Sequence, residues 1–274
     1  MEDCINTKLE IDFSTGNYKS LLSVKFNINK INIVKTYVMY KTNKSIIFST
    51  ITDYKKHFVL KKSLNKHNEY IISSYICNYL RKDIPNFVYC FGIHGDCLVY
   101  EFINGITLNN YIKFCSLGNF LNIFRQVLFS LDYAWKRYKF THYDLQTSNI
   151  IVKNIENNIV INYDDKKVFT NNIAVIIDYD TSFGIVNGKK SSRQRISCPF
   201  FDLYMFINSC LTDSYGVIND YLNKVAEFFK IIDNALDLQY RNINYNFDIP
   251  LYTEKLSDIN YDTFFDFLYF NKLI

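Results

Sequence analysis

Three polar residues stand at short intervals in the segment THYDLQTSNIIV, residues 141–152: His142, Asp144 and Asn149. A further carboxylate, Asp178, ends the apolar run AVIID. Phosphoryl transfer makes few covalent demands on a protein. It needs a carboxylate near the attacking hydroxyl, oxygen ligands for magnesium and a cation on the phosphates. Asp144 is a candidate for the first group, and Asn149 with Asp178 for the second. Each residue alone is also a common turn-capping type, so the prediction rests on their occurrence together in this order.

Length and composition are those of a folded protein with a substantial core. The chain has 274 residues, of which 49% are hydrophobic and 21% charged, enough for one large domain or two lobes. The net charge of +4 is too small to predict nucleic-acid binding. Seven cysteines without a C-x-x-C pair or zinc spacing favour reduced thiols. With no apolar run long enough for a membrane span and no signal peptide, we expect a soluble intracellular protein.

The first part of the chain has the pattern of a small sheet with one helix. Runs of β-branched and aromatic residues, separated by short polar turns, predict an antiparallel meander over residues 31–62. Apolar residues spaced by four then predict a helix over 68–80. Two further strands, 87–93 and 97–103, are predicted around a Gly-Asp turn.

The second part, after a glycine hinge near 104–105, is mainly helical in pattern. An apolar stripe predicts a long amphipathic helix over 120–138, directly before the polar loop. Two short strands are expected at 149–152 and 174–178, with polar sequence between them. Further helices are expected from residue 200 onward.

The polar loop and the later aspartate together resemble two motifs of protein kinases. THYDLQTSN resembles the catalytic loop H-R-D-L-x-x-x-x-N, and IIDYD resembles the D-F-G segment that follows it. Upstream, FVLK at 58–61 resembles the strand whose lysine contacts the ATP phosphates. The resemblance implies this role for Lys61, with Glu69 on the next helix as its ion-pair partner.

Two further segments extend the resemblance, which covers roughly residues 31–215. VYEFINGITLNNYI is similar to the kinase hinge, where backbone groups of Glu101, Phe102 and Ile103 would hold adenine. FFDLYMF places Asp202 where kinases keep a buried aspartate that braces the catalytic loop.

The resemblance implies an α+β fold of the bilobal protein-kinase type in a single domain. Its N-lobe, residues 1–103, would be a small antiparallel sheet with one helix, and its C-lobe, 104–274, mainly α-helical. ATP and Mg²⁺ would be the cofactors and a protein the substrate. Asp144 would orient and deprotonate a serine or threonine hydroxyl, Asp178 and Asn149 would hold the metal, and Lys61 would grip the α- and β-phosphates.

Several positions depart from the kinase pattern. Tyr143 replaces the arginine of H-R-D, Gln146 stands where protein-serine kinases usually carry lysine, and Asp180 replaces the glycine of D-F-G. No A-P-E motif follows. The combination is similar to haspin-type kinases and the divergent kinases of large DNA viruses, and a bias toward Tyr, Phe, Asn, Ile and Lys agrees with an AT-rich viral genome. In that branch, activity would not depend on phosphorylation of the activation loop.

The phosphate-binding strand has two interpretations. If 31–40 and 45–51 are the first two strands, their turn KTNK has no glycine, and Lys61 is the phosphate lysine. Alternatively, STGNYKSL (14–21) is a degenerate glycine-rich loop that keeps only Gly16, and Lys35 takes that role. Lys61 is preferred because it lies just before the helix that carries Glu69.

Three functions remain open at this point. A small-molecule kinase of the choline or aminoglycoside phosphotransferase type also fits His142 and Asp178, although the 41 residues from Glu101 to His142 favour a protein substrate. A pseudokinase scaffold fits the missing glycines.

For a kinase, the basic segment 189–195 suggests acidic or phosphorylated substrates, and Ser191 and Ser192 are candidate self-phosphorylation sites. A viral kinase would act in the host cytoplasm or the virion.

Overall fold

The computed structural model describes residues 11–12, 17–18, 33–43, 45–52, 57–64, 66–191, 196–236 and 259–274. The strands are β1 Ile11–Asp12, β2 Asn17–Tyr18, β3 Ile33–Lys41, β4 Ser45–Thr52, β5 His57–Ser63, β6 Cys90–His94, β7 Cys97–Glu101, β8 Ile106–Thr107, β9 Ile150–Tyr163, β10 Lys166–Ile176, β11 Ile185–Val186 and β12 Lys189–Lys190. The helices are α1 Lys66–Ile72, α2 Asn78–Asp83, α3 Leu108–Tyr111, α4 Leu117–Tyr138, α5 Pro199–Asp213, α6 Gly216–Leu236 and α7 Tyr261–Phe270. A π-helical turn, Ser73–Cys77, joins α1 to α2, and a 3₁₀ turn covers Thr147–Asn149.

The chain divides into two compact units. The first comprises Met1–Gly105 and Lys153–Ser182, and the second comprises Ile106–Val152 and Phe183–Ile274. An antiparallel sheet lies in the N-terminal region and most helices lie in the C-terminal region, which confirms the predicted α+β class. The division into an N-lobe, 1–103, and a C-lobe, 104–274, stays a prediction. Within the described ranges, no helix is both long and apolar enough to cross a membrane.

The main sheet of the first unit has five strands in the order β3-β4-β5-β7-β6, all neighbours antiparallel. Successive side chains of a strand point to opposite faces. On β5, Phe58 and Leu60 therefore share one face, where they form a core cluster with Val99 of β7. Lys61 follows Leu60 and lies on the other face. The alternation of this strand thus decides which side of the sheet receives the lysine.

The helical segment after β5 packs through residues spaced by four. Ile72, Ile76 and Leu80 are fully buried or nearly so, which is the pattern of one helix face. The helix ends at Ile84, whose extended backbone is the conformation favoured before a proline. In its middle, the π-helical turn widens the backbone, a feature that is often found at functional sites.

Strands β9 and β10 are longer than the sequence pattern predicted. They have 14 and 11 residues and are neighbours in a second sheet. The turn between them includes Asp164 at a positive φ of 55°. Val152, Ile159 and Ile161 are buried along β9, but intervening asparagines and a glutamate, which are depleted in strands, obscured this pattern. The prediction of two short strands was therefore wrong in length.

The core of the second unit forms around α4. Ser116 caps this helix by accepting a hydrogen bond from the N–H of Asn119. Phe124 stacks on Phe206 of α5 at 5.6 Å and meets the ring of Tyr221 of α6 edge-on at 5.8 Å. The last turn of α4 leads into the polar loop, so packing of this helix fixes where the loop begins.

Candidate active site

A buried ammonium group between two carboxylates is the central feature of the first unit. Lys61 Nζ lies 2.8 Å from Glu69 Oε1 and 2.5 Å from Asp178 Oδ1. The side chains of Lys61 and Glu69 are 5% and 0% exposed, whereas that of Asp178 is 28% exposed. The structure thus brings together three residues that the sequence assigned to one function, although their roles stay predictions.

Three separate elements deliver these side chains. Lys61 comes from the alternation of β5, Glu69 from the first turn of α1, and Asp178 from the segment just after β10. Asp178 has a positive φ of 68°. For a residue other than glycine this conformation is strained, and such strain is found at functional sites. The carboxylate is therefore held where local backbone preferences alone would not place it.

The charges of this cluster depend on one another. Burial by itself lowers the pKa of Lys61, but the carboxylates of Glu69 and Asp178 outweigh it and raise that pKa well above its ordinary value. Burial raises the pKa of the Glu69 carboxyl, which Lys61 opposes. Lys61 is consequently a permanent cation at physiological pH.

Lys35, the alternative phosphate lysine, lies elsewhere. It is exposed on β3, with its ammonium 4.7 Å from the centre of the Tyr37 ring. Lys61 contacts Glu69, and its assignment as the phosphate lysine in preference to Lys35 stays a prediction. Most of the alternative loop at 14–21, with Gly16, lies outside the described residues.

The predicted hinge has part of its hydrogen-bonding capacity already in use. The N–H of Glu101 donates to the carbonyl oxygen of Tyr89 at 3.0 Å. The carboxylate of Glu101 accepts from Arg81 Nε at 3.1 Å and from the N–H of Tyr89 at 2.8 Å. Phe102 lies 5.5 Å from the His57 ring, and Ile103 is buried. The adenine-binding role of Glu101, Phe102 and Ile103 stays a prediction. Because the N–H of Glu101 already donates to Tyr89, it is not among the groups expected to donate to adenine.

The polar loop of the second unit fixes the carboxylate of Asp144 with two amides. Gln146 Nε2 donates to Asp144 Oδ1 at 2.8 Å. Asn149 Nδ2 donates to the main-chain oxygen of Asp144 at 2.8 Å and lies 3.3 Å from Asp144 Oδ2. The asparagine amide group therefore orients the aspartate. The glutamine contact was not predicted from the sequence.

Asp202 supports the start of this loop from α5. Its carboxylate accepts hydrogen bonds from the N–H groups of His142 at 2.7 Å and Tyr143 at 2.9 Å. Burial raises the pKa of Asp202 to about 7, although both N–H groups act in the opposite direction. Tyr143 has a positive φ of 65° and donates its hydroxyl to the carbonyl oxygen of Ile196 at 2.5 Å. The tyrosine that replaces the kinase arginine thus makes a neutral bond to the chain just after the basic segment.

A chain of hydroxyl groups holds the end of the loop, and sequence reasoning missed it. The N–H of Thr147 donates to Ser209 Oγ at 2.9 Å, and the two hydroxyls are 2.8 Å apart. The Thr147 hydroxyl also bonds Asp213 Oδ2. Residues 62 to 66 positions apart meet here, and no local sequence pattern signals such contacts.

The oxygen atoms of the predicted metal ligands are of the chemical type that magnesium prefers. No group of three or more His, Cys, Asp or Glu side chains suited to a metal occurs among the residues that the structure describes. Mg²⁺ does not require one, because it keeps several waters and binds through one or two carboxylates together with substrate phosphates. The carboxylate of Asp178 in the first unit and the amide oxygen of Asn149 in the second are each hard oxygen donors of the kind that Mg²⁺ accepts, and their role as magnesium ligands stays a prediction.

The basic segment is described only in part. Lys189 and Lys190 form β12 and are exposed, whereas residues 192–195, which include Ser192, lie outside the described residues. The N–H of Ser191 donates to the carbonyl oxygen of Gly184 at 2.9 Å. Ser191 Oγ accepts from the Gly184 N–H at 3.2 Å. Its hydroxyl therefore takes part in the β11–β12 hairpin.

Comparison with known proteins gives two curated relatives. No family model matches the chain. A protein named as a probable kinase from Invertebrate iridescent virus 3 is 27% identical over 69% of this chain and 43% of its own length. An uncharacterised protein of Invertebrate iridescent virus 6 is 28% identical over 63% of this chain and 16% of its own. The matches thus cover less than half of either relative. The probable kinase confirms the resemblance that the motifs indicated.

A solved structure also aligns with part of the chain. It is a complex of Rio2 kinase from Chaetomium thermophilum with ADP/Mg²⁺-phosphoaspartate. It covers 57% of this chain and 50% of its own, with a TM-score of 0.38 and 11% identity. A similarity at this level carries no argument about function.

Proposed function

We propose that this chain, a divergent protein-kinase-like protein, transfers a phosphoryl group from ATP to a serine or threonine hydroxyl of a protein substrate. The observation that carries the proposal is the Lys61 ammonium, held 2.8 Å from Glu69 and 2.5 Å from Asp178. A buried lysine with two carboxylates is costly to keep for stability alone. The cost is understandable where a fixed cation must meet phosphate groups.

The second unit supplies the groups for the acceptor in this proposal. Asp144 would orient the hydroxyl and take its proton, because Gln146 and Asn149 hold its carboxylate in one orientation. Asp178 and Asn149 would bind magnesium. Bound Mg²⁺ would offset negative charge on the phosphates during transfer. Lys61, a cation throughout the physiological pH range, would bind the α- and β-phosphates.

The nature of the substrate and the origin of the chain belong to the same proposal. The exposed, positively charged side chains of Lys189 and Lys190 support an acidic or phosphorylated protein as the substrate. Both curated relatives come from iridescent viruses, which supports a viral kinase that acts in the host cytoplasm or the virion.

The test is transfer of labelled phosphate from the γ-position of ATP, with magnesium, to casein, a basic protein or choline as separate acceptors. Asp144→Asn removes the proposed base, and we expect a loss of at least about 100-fold. Asp262→Asn is the matched control, because Asp262 lies in the same unit and forms a surface ion pair with Lys136 at 3.2 Å. It should retain wild-type activity.

Three outcomes would change the conclusion. Equal transfer by the wild type and Asp144→Asn would remove Asp144 from the reaction. Labelled choline in place of labelled protein would identify a small-molecule kinase. Nucleotide binding without transfer to any acceptor would favour a scaffold over an enzyme.

A further inference from the structure

The hydroxyl of Tyr100 lies in the interior of the first unit beside the lysine cluster. Tyr100 is 6% exposed, and a buried hydroxyl is costly unless it makes hydrogen bonds. It donates to Glu69 Oε1 at 3.0 Å and lies 2.9 Å from the hydroxyl of Ser73. Tyr100 thus contacts the carboxylate that holds Lys61.

Ser73 also contacts Glu69, through the backbone of that residue. It stands four positions after Glu69, at the first position of the π-helical turn, and is fully buried. Its hydroxyl donates to the main-chain oxygen of Glu69 at 2.7 Å. The Tyr100 hydroxyl therefore donates to the side chain of Glu69, and the Ser73 hydroxyl donates to its backbone.

The two carboxylate oxygens of Glu69 are unequal. Oε1 accepts from both Lys61 Nζ and the Tyr100 hydroxyl. Oε2 is buried and has no hydrogen-bond partner within the described part of the chain. The orientation of the carboxylate thus depends on Oε1 alone. Without the tyrosine hydroxyl, only the lysine would hold this oxygen, and Asp178 competes for that lysine at 2.5 Å.

We infer that Tyr100, supported by Ser73, is a positioning residue that fixes Glu69 and thereby holds Lys61 where it meets the phosphates of a nucleotide. The inference rests on the proposed function, because it concerns the same phosphate-binding lysine. Tyr100 touches neither nucleotide nor acceptor in this scheme, and it acts only through Glu69.

Tyr100→Phe tests the inference, because it removes the hydroxyl and keeps the ring. Affinities for ADP and adenosine are measured by calorimetry on the whole chain. We expect ADP binding to weaken about tenfold, the size expected from one charged hydrogen bond. Adenosine binding should not change, because adenosine has no phosphate for Lys61 to bind.

Tyr163→Phe is the matched control. Its hydroxyl is also buried in the first unit, where it donates to Asn86 Oδ1 at 2.8 Å. The control should leave both affinities at wild-type values. Ser73→Ala is a second variant that removes the supporting hydroxyl. It should weaken ADP binding in the same direction by a smaller factor.

The outcomes separate the inference from the function. If the wild type binds ADP and both Tyr100→Phe and Ser73→Ala bind it equally well, the inference is wrong and the proposed function stands. Equal weakening of ADP and adenosine would indicate a general structural effect and would also overturn the inference. A wild type that binds no ADP would overturn both.

Discussion

Substitution of Lys61 by methionine should destabilise the first unit strongly, and by an amount that depends on pH. At an effective dielectric constant of about 20, two unit charges 2.8 Å apart attract each other by about 6 kcal/mol. Most of this gain offsets the cost of burying both charges, so the net value of the intact pair is small. Removal of the cation alone leaves Glu69 fully buried without its charged partner, which costs about 3–5 kcal/mol.

The pH dependence follows from Glu69. Burial raises the pKa of its carboxyl, and Lys61 opposes this effect. In Lys61→Met the opposition is lost, so the folded state holds a proton on Glu69 over a wider pH range than the unfolded state does. Stability from a raised pKa is present below the unfolded value and is lost as pH rises through the folded value. The variant should therefore be less stable at pH 8 than at pH 5, and more steeply so than the wild type.

Hydrogen exchange measured by mass spectrometry is the suitable assay. The single tryptophan, Trp135, lies in the second unit, so its fluorescence does not report the first. Amides of β4 and β5 should exchange much faster in Lys61→Met, and adding Glu69→Gln should restore most of their protection while ADP affinity stays low. If Lys61→Met exchanged like the wild type at both pH values, the ammonium would not be held between the two carboxylates as described.

Two further substitutions concern the second unit, where the fluorescence of Trp135 during urea denaturation directly measures the free energy of unfolding. Asp202→Asn leaves a single acceptor oxygen for the N–H groups of His142 and Tyr143, so we expect a loss of about 1–3 kcal/mol. Since burial raises the pKa of Asp202 to about 7, wild-type stability should fall as pH rises toward 7, and this fall should be absent in the variant; an identical pH profile would contradict the argument. Thr147→Val removes a hydroxyl that bonds Ser209 and Asp213, and should cost about 1–3 kcal/mol. Thr212→Val, which loses only an exposed bond on α5, should cost less than about 0.5 kcal/mol, and equal losses in the two variants would refute the role of this contact.

The sequence alone was sufficient for the class of fold and for the composition of the polar loop. The strands β3 to β5 were indicated by runs of β-branched and aromatic residues between short polar turns. The helix that carries Glu69 and the long helix α4 were indicated by apolar residues at helical spacing, which the structure buries. Asp144 and Asn149 lie five positions apart, so their contact is local and depends on the conformation of a single loop. The motif was therefore visible before any tertiary contact was known.

Other features were decided by the tertiary structure. Which lysine contacts Glu69 depends on how the strands and the helix pack, and Lys61 meets Asp178 across 117 positions. Tyr100 lies 31 positions from Glu69, and Tyr143 lies 53 from Ile196. A chain rich in tyrosine gives no local indication of which hydroxyl has a function.

The physical reason is the difference in range between the two kinds of information. Periodicity reports which face of an element is buried, and it is averaged over many side chains. A hydrogen bond between distant residues requires one pair of atoms to meet within about 3 Å, and this depends on how whole elements pack. The sequence by itself thus determined the class of fold, the main helices and the composition of the polar loop, whereas packing decided which lysine contacts Glu69 and Asp178 and which hydroxyl groups bond to the lysine cluster and the loop.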